Sequence, residues 1–277
     1  MEPRVPSYFD SLLHAFYQGQ QGRFVHLGHW DQPPSLDTPG TEGEFHQAQI
    51  RMNQCLLDMA QLADGHDVLD IGCGFGGTLQ RIDQTFRRMS LAGVNIDPRQ
   101  LQVCSNLETA TDNRFLWYEA DACSLPFADC AFDRVFCIEA MFHFSSRSGF
   151  FSEVARVLRP GGILVVSDIV LLRDQVEKQM TPSEVASALD EGYGPWPHPW
   201  SQLEELKNMP APLGLICQSA EDVTLQTLPS HRFTVTGSFD RQSNADIDPG
   251  TRSGLMLKWL HERQLLQYVY AKYKRGP

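Results

Sequence analysis

The sequence has no C-x-x-C pair, no internal repeat, no low-complexity stretch and no apolar run long enough to cross a bilayer. A membrane helix needs about 18 or more consecutive apolar residues, so a spanning helix is not expected. The first residues lack the basic stretch and apolar core of a secretory leader. The cysteines, at 55, 73, 104, 123, 130, 137 and 217, are odd in number, and most lie in apolar stretches, as small core residues do. A disulfide framework is not indicated, and a reducing, cytoplasmic location is the expectation. Cations are scarce as well: 23 Lys and Arg stand against 34 Asp and Glu, a formal charge of −11. Nucleic-acid partners need a basic face, so the expected partner is a small neutral or cationic molecule, with no nucleic acid and no membrane. Homo-oligomerisation is left open.

What is present is an alternating pattern in a chain of 277 residues, long enough to bury a core without disulfides or metal. Residues 5–20 and 43–63 carry helical spacing, the second with Ile50, Cys55, Leu56, Met59 and Leu62 on one face. Between them runs a Pro- and Gly-rich loop, 26–40, containing HLGHW. From 66 onward short apolar runs (66–72, 90–97, 114–121, 132–140, 161–170) alternate with helical segments (76–88, 98–110, 147–158). Strands separated by helices in this way mean βαβ units and a parallel sheet. Beyond 170 the spacing predicts helices over 181–192 and 201–208, each opened by a capping Thr or Ser. A strand is expected over 216–228, a helix over 251–265 and an edge strand over 267–274.

GCGFGG (72–77) follows a strand and opens a helix, which suits close approach of a ligand to the backbone. Its spacing fits the dinucleotide fingerprint G-x-G-x-x-G through Gly72, Gly74 and Gly77, with Asp97 lying 20 residues beyond. Asp70 weighs against an NAD-binding oxidoreductase. Its carboxylate would meet a pyrophosphate, and like unit charges 4 Å apart repel by about 4 kcal/mol at an effective dielectric of 20. A cofactor carrying a sulfonium and an amine reverses that sign.

With VLDIGCGFGG, GVNIDPRQL (93–101), EADACSLPF (119–127), FDRVFCIEAMFHF (132–144) and VLRPGGILVVSD (157–168) in order, the chain resembles the class I S-adenosylmethionine-dependent methyltransferases. The likeness is to their small-molecule branch of sugar O-methyltransferases and tocopherol-type C-methyltransferases, and it covers roughly residues 60–170. The resemblance implies a Rossmann-like α/β fold: a seven-stranded, mostly parallel sheet with an antiparallel C-terminal strand, an N-terminal helical cap and a lid insertion after the fifth strand. The corresponding boundaries are 1–62 for the cap and HLGHW loop, 63–170 for the cofactor-binding core, 171–215 for the substrate lid and 216–277 for the C-terminal strands and helix.

The resemblance also assigns residues. Asp70, Gly72 and Gly74 would form the turn around the donor's amino-acid part. Asn95 stands where the family has a ribose-binding acid, Ile96 follows it, and Asp97 is a second candidate for that contact. Gln100 is a further cofactor contact. Asp121 would accept from the adenine amino group beside Ala122, and Glu139, with Ala140, would face the transferable methyl.

Methyl transfer to a hydroxyl needs alignment and a base. His143, past the fourth strand, is the candidate base, with Asp168 at the end of the fifth strand to orient it; the alternative is packing of His143 between Phe142 and Phe144. His29 and Trp30 of HLGHW, with Trp196 and Trp200 of the later insertion, are candidate substrate-lid residues. His26 and His29 lack a third ligand at supportive spacing, so no metal is expected. The expected activity is methyl transfer from S-adenosylmethionine to a small, secondary-metabolite-like acceptor at oxygen. The alternatives are C-methylation of a terpenoid, quinone or polyketide, and a binding module without turnover.

Overall fold

The computed structural model describes residues 5–32, 40–194, 196, 202–239 and 247–277. The five predicted core strands form: β1 Asp67–Ile71, β2 Ser90–Asn95, β3 Arg114–Glu119, β4 Phe132–Ile138 and β5 Leu158–Leu171, all pairing in parallel. With β6 (Leu215–Asp222) and β7 (Leu266–Arg275) they make one seven-stranded sheet in the order β3-β2-β1-β4-β5-β7-β6. β7 runs antiparallel to both of its neighbours. It is therefore an interior strand, not the edge strand its alternation suggested. Its apolar positions are covered on both faces, Tyr268 and Tyr270 on one and Val269, Ala271 and Tyr273 on the other. The expected strand over 216–228 stops at Asp222, and the chain turns into two short helices, α9 Thr224–Thr227 and α10 His231–Thr234.

The remaining helices, in chain order, are α1 Tyr8–Tyr17, α2 Glu42–Ala60, α3 Gly77–Thr85, α4 Pro98–Ser105, α5 Arg147–Val157, α6 Arg173–Val176, α7 Pro182–Tyr193, α8 Leu203–Asn208 and α11 Pro249–Glu262. Thr181 caps α7 through a capping box with Glu184, as expected. α8 is preceded by Gln202 at its cap, and Ser201 lies outside the described residues.

Strand side chains alternate between two layers. Val68, Phe136, Val165 and Tyr268 pack with α2 and α11 on one face, and Leu69, Val135, Leu164 and Val269 pack with α5 on the other. The buried face of α2 is rotated from the expected one: it carries Ala48, Met52, Leu56 and Ala60, with Gln49 and Asn53 beside them. The side-chain amide nitrogens of those two polar residues are bonded inside the fold, while Asn53 Oδ1 is buried without a partner among the described residues. Gln49 Nε2 donates to the carbonyls of Phe24 and His26, and Asn53 Nδ2 donates to Thr78 Oγ1.

The strand order reverses between β1 and β4, the crevice where open α/β sheets bind ligands. The carboxyl ends of β1 and β4 lie side by side there.

Candidate active site

Gly72, at the end of β1, has φ 76°, and an added Cβ would overlap the Cβ of Ala140 at the end of β4. Only glycine meets both demands at that crossing. Asp70 is 2% exposed, and its carboxylate makes no hydrogen bond or ion pair with a described residue. Burial alone pushes its carboxyl up to about 7. A carboxylate shut in without a cation is costly.

Asn95 and Gln100 meet side chain to side chain: Asn95 Nδ2 donates to Gln100 Oε1 at 3.0 Å, and Gln100 Nε2 is buried without a partner among the described residues. Ile96 between them is half-buried. Asp97 is the capping residue of α4 and holds the Arg99 guanidinium at 2.9 Å. Its carboxylate is committed there, so it is no longer a substitute for Asn95. Asp121 Oδ1 accepts from the Cys123 amide at 2.8 Å, while Oδ2 takes no hydrogen bond from a described residue, and Ala122 beside it is buried.

Glu139 leaves β4 with φ 48°. Its Oε1 accepts from the Leu27 amide at 2.7 Å and from the Tyr268 hydroxyl. Desolvation pushes its carboxyl up to about 7 against the opposing effect of those two donors. One oxygen of its carboxylate is thus engaged by the protein, and Oε2 takes no hydrogen bond from a described residue.

His143 ends the one-turn helix Met141–His143 that follows β4. Its Nε2 shares a hydrogen bond of 3.1 Å with the Tyr8 hydroxyl, and its Nδ1 is buried without a described partner. Phe142, Tyr8, Tyr193 and Trp196 surround the ring, with centroids 4.4 to 6.4 Å away. Desolvation pushes the imidazole down to about 3, partly opposed by the Tyr193 backbone, so it is neutral at neutral pH.

Asp168 does not join His143. Along β5, Ser167 reaches the Tyr268 hydroxyl on the first layer at 3.5 Å, so Asp168 points to the second. There it lies 2.9 Å from Arg147 Nη2, with 0% and 5% of the two side chains exposed. Burial raises its carboxyl to about 6, the guanidinium opposing. The sheet separates the two residues that sequence reasoning put together. Arg147 was missed, although a cation at the start of α5 opposes the helix dipole and signals a fixed counter-ion.

Trp30 is 4% exposed. Its indole donates to Ser230 Oγ at 3.0 Å and stacks on Phe233 with centroids 5.6 Å apart. It is packed and hydrogen-bonded within the fold. His29 Nδ1 lies 3.4 Å from the Tyr270 hydroxyl, with Asp31 3.7 Å from Nε2. Trp196 packs on Phe142 at 4.7 Å, whereas Trp200 lies outside the described residues. Among the described residues, no group of three His, Cys, Asp or Glu side chains could hold a metal.

The profile of a methyltransferase domain family matches residues 69–166. The methyltransferase GfsG of Streptomyces halstedii is 34% identical over 234 residues, 82% of this chain and 77% of that protein. A 27-O-demethylrifamycin SV methyltransferase of Amycolatopsis mediterranei is 30% identical, over 76% of this chain and 72% of that one. Among solved structures, the [4+2]-cyclase SpnF superposes with a TM-score of 0.72 at 20% identity, covering 100% of this chain and 96% of that one. A geranyl diphosphate methyltransferase solved with its methyl donor gives 0.67 at 20% identity, over 92% and 100% of the two chains. At that identity the structures speak for the fold alone. The sequence matches, the glycine turn and the unpaired Asp70 agree: the chain belongs to the class I S-adenosylmethionine-dependent methyltransferases of the small-molecule branch and uses S-adenosylmethionine as its methyl donor.

Proposed function

We propose that this enzyme methylates a hydroxyl oxygen of a small, secondary-metabolite-like acceptor, with His143 as the base. The observation that carries the reading is the His143 ring itself: neutral, past the end of β4, with Nδ1 buried and without a hydrogen-bond partner among the described residues. The names of two relatives agree with it, the 27-O-demethylrifamycin SV methyltransferase and an erythromycin 3''-O-methyltransferase of Saccharopolyspora erythraea. The free thiols are consistent with a cytoplasmic setting.

The residues present fit the donor. Asp70 would take its amino group, the glycine turn its amino-acid backbone, Asn95 and Gln100 its ribose, and Asp121 its adenine amino group. Bound there, S-adenosylmethionine supplies a methyl group on a cationic sulfur. In the tautomer that base action needs, His143 donates from Nε2 to Tyr8 and keeps a lone pair on Nδ1 for the acceptor's proton. Desolvation opposes a charge on that ring. The proton it takes replaces the charge lost at sulfur, so the total charge of the site is unchanged. Asp168 has no part in this step, because its charge is held by Arg147 in the other layer.

His143→Ala should lower kcat on a hydroxyl acceptor by about 10²–10⁴ while leaving S-adenosylmethionine affinity as it is. Full turnover in that variant would sink the reading. One observation favours C-methylation as the alternative: the rings of Tyr8, Phe142, Tyr193 and Trp196 form a π-rich wall that suits a cationic carbon intermediate. Similarity to a sterol 24-C-methyltransferase of Schizosaccharomyces pombe, 32% identical over 69% of this chain and 48% of that one, agrees with that alternative.

A further inference from the structure

We infer that Glu139 and Tyr268 are positioning residues for the methyl donor: together they clamp Leu27, and with it residues 23–30, over the glycine turn. Residues 23–30 form a strap with three stations. At the first, Arg23 Nη1 donates to the Phe75 carbonyl at 2.8 Å, and an added Cβ on Gly74 or Gly77 would stand 2.9 Å from Val25 Cγ2 or the Arg23 carbonyl. The strap is thus in contact with the turn that carries the cofactor. At the third station, Ser230 Oγ accepts from the Gly28 amide at 2.8 Å and from the Trp30 indole.

The middle station is the Leu27 amide on Glu139 Oε1, and that oxygen also receives the Tyr268 hydroxyl. Glu139 is itself fixed, because its amide donates to Ser167 Oγ at 3.0 Å. Tyr268 is fully buried in β7, and burial with the nearby Glu139 charge raises its phenol, so it stays protonated and donates. One carboxylate oxygen therefore ties the N-terminal strap, the end of β4 and the penultimate segment of the chain's sheet into one support. This role is independent of the acceptor atom and of His143.

The test is titration calorimetry with S-adenosylmethionine, together with the thermal midpoint of the ligand-free protein. Tyr268→Phe and Glu139→Ala should each raise the Kd by about tenfold, the scale of one lost hydrogen bond to a charged group. Glu139→Gln, whose amide oxygen still accepts from both donors, should restore most of the affinity lost in Glu139→Ala. Parent-like affinity in Tyr268→Phe would overturn the proposal; if Glu139→Ala alone were weak, Glu139 would be acting on the cofactor directly. Equal weakness of Glu139→Gln and Glu139→Ala, at unchanged thermal midpoint, would overturn it as well.

Discussion

Arg147 and Asp168 face each other across 2.9 Å in the layer of the sheet opposite His143, with water excluded from both. Breaking such a pair from one side leaves a buried charge uncompensated. Arg147→Met should therefore cost roughly 3–5 kcal/mol in urea unfolding, and adding Asp168→Asn should regain much of it. A single-variant loss under about 1 kcal/mol would show that Asp168 is already neutral in the fold.

The pH dependence of cofactor binding follows from Asp70. Its carboxyl is raised to about 7 by burial, so without ligand the ionised form is the strained one. For this group, stability of the ligand-free protein is full below the unfolded value near 3.9 and falls as the pH rises toward 7. Binding has the opposite sign, because the ligand's amine selects the ionised carboxylate. S-adenosylmethionine affinity should rise between pH 6 and 8. Asp70→Asn should weaken binding by about 1–3 kcal/mol and flatten that rise. A rise that persists in the variant would assign the titration to Glu139, whose carboxyl lies in the same range.

Ser230 serves two buried donors at once, the Gly28 amide and the Trp30 indole, and its own hydroxyl reaches the Gly28 carbonyl at 3.2 Å. Ser230→Ala should lower stability by about 1–3 kcal/mol through the unsatisfied groups it leaves. Hydrogen exchange should accelerate at residues 28–30 before it does in β1 or β4. Uniform acceleration across the sheet would count against a local role.

Gly72→Ala confronts both a left-handed backbone and the Cβ of Ala140. The backbone part costs about 1–2 kcal/mol; the overlap adds to it. Ala140→Gly should recover the second part but not the first, which thermal unfolding of the three variants can separate.

The parallel core was legible because its strands are short apolar runs bounded by helical spacing, and the glycine turn because Asp70 narrows what can sit on it. Alternation in 267–274 did not disclose that β7 is interior, since the depth of burial depends on β6, which arrives from elsewhere in the chain. The pairing of His143 with Asp168 failed for a similar reason. His143 lies past the end of β4, but β5 runs on to Leu171, so Asp168 is inside the strand, and a shift of one residue along β5 moves a side chain to the other layer. Tyr268 and Ser230 carried no signal at all: each matters only through a partner more than a hundred residues away.

The insertion of β7 between β5 and β6 also sets an order of assembly. β6 is made before β7, yet β7 is its sole partner in the sheet, and the same strand must cover the outer edge of β5. As the chain grows, two rows of peptide groups wait open until the later strand slots between them. Every pairing that closes this half of the sheet is long in sequence, which slows folding. An exposed edge in the meantime is a template for the wrong chain. The nascent protein is therefore most exposed to mispairing between the emergence of β5 and that of β7, an interval in which a holding chaperone would raise the yield of folded enzyme.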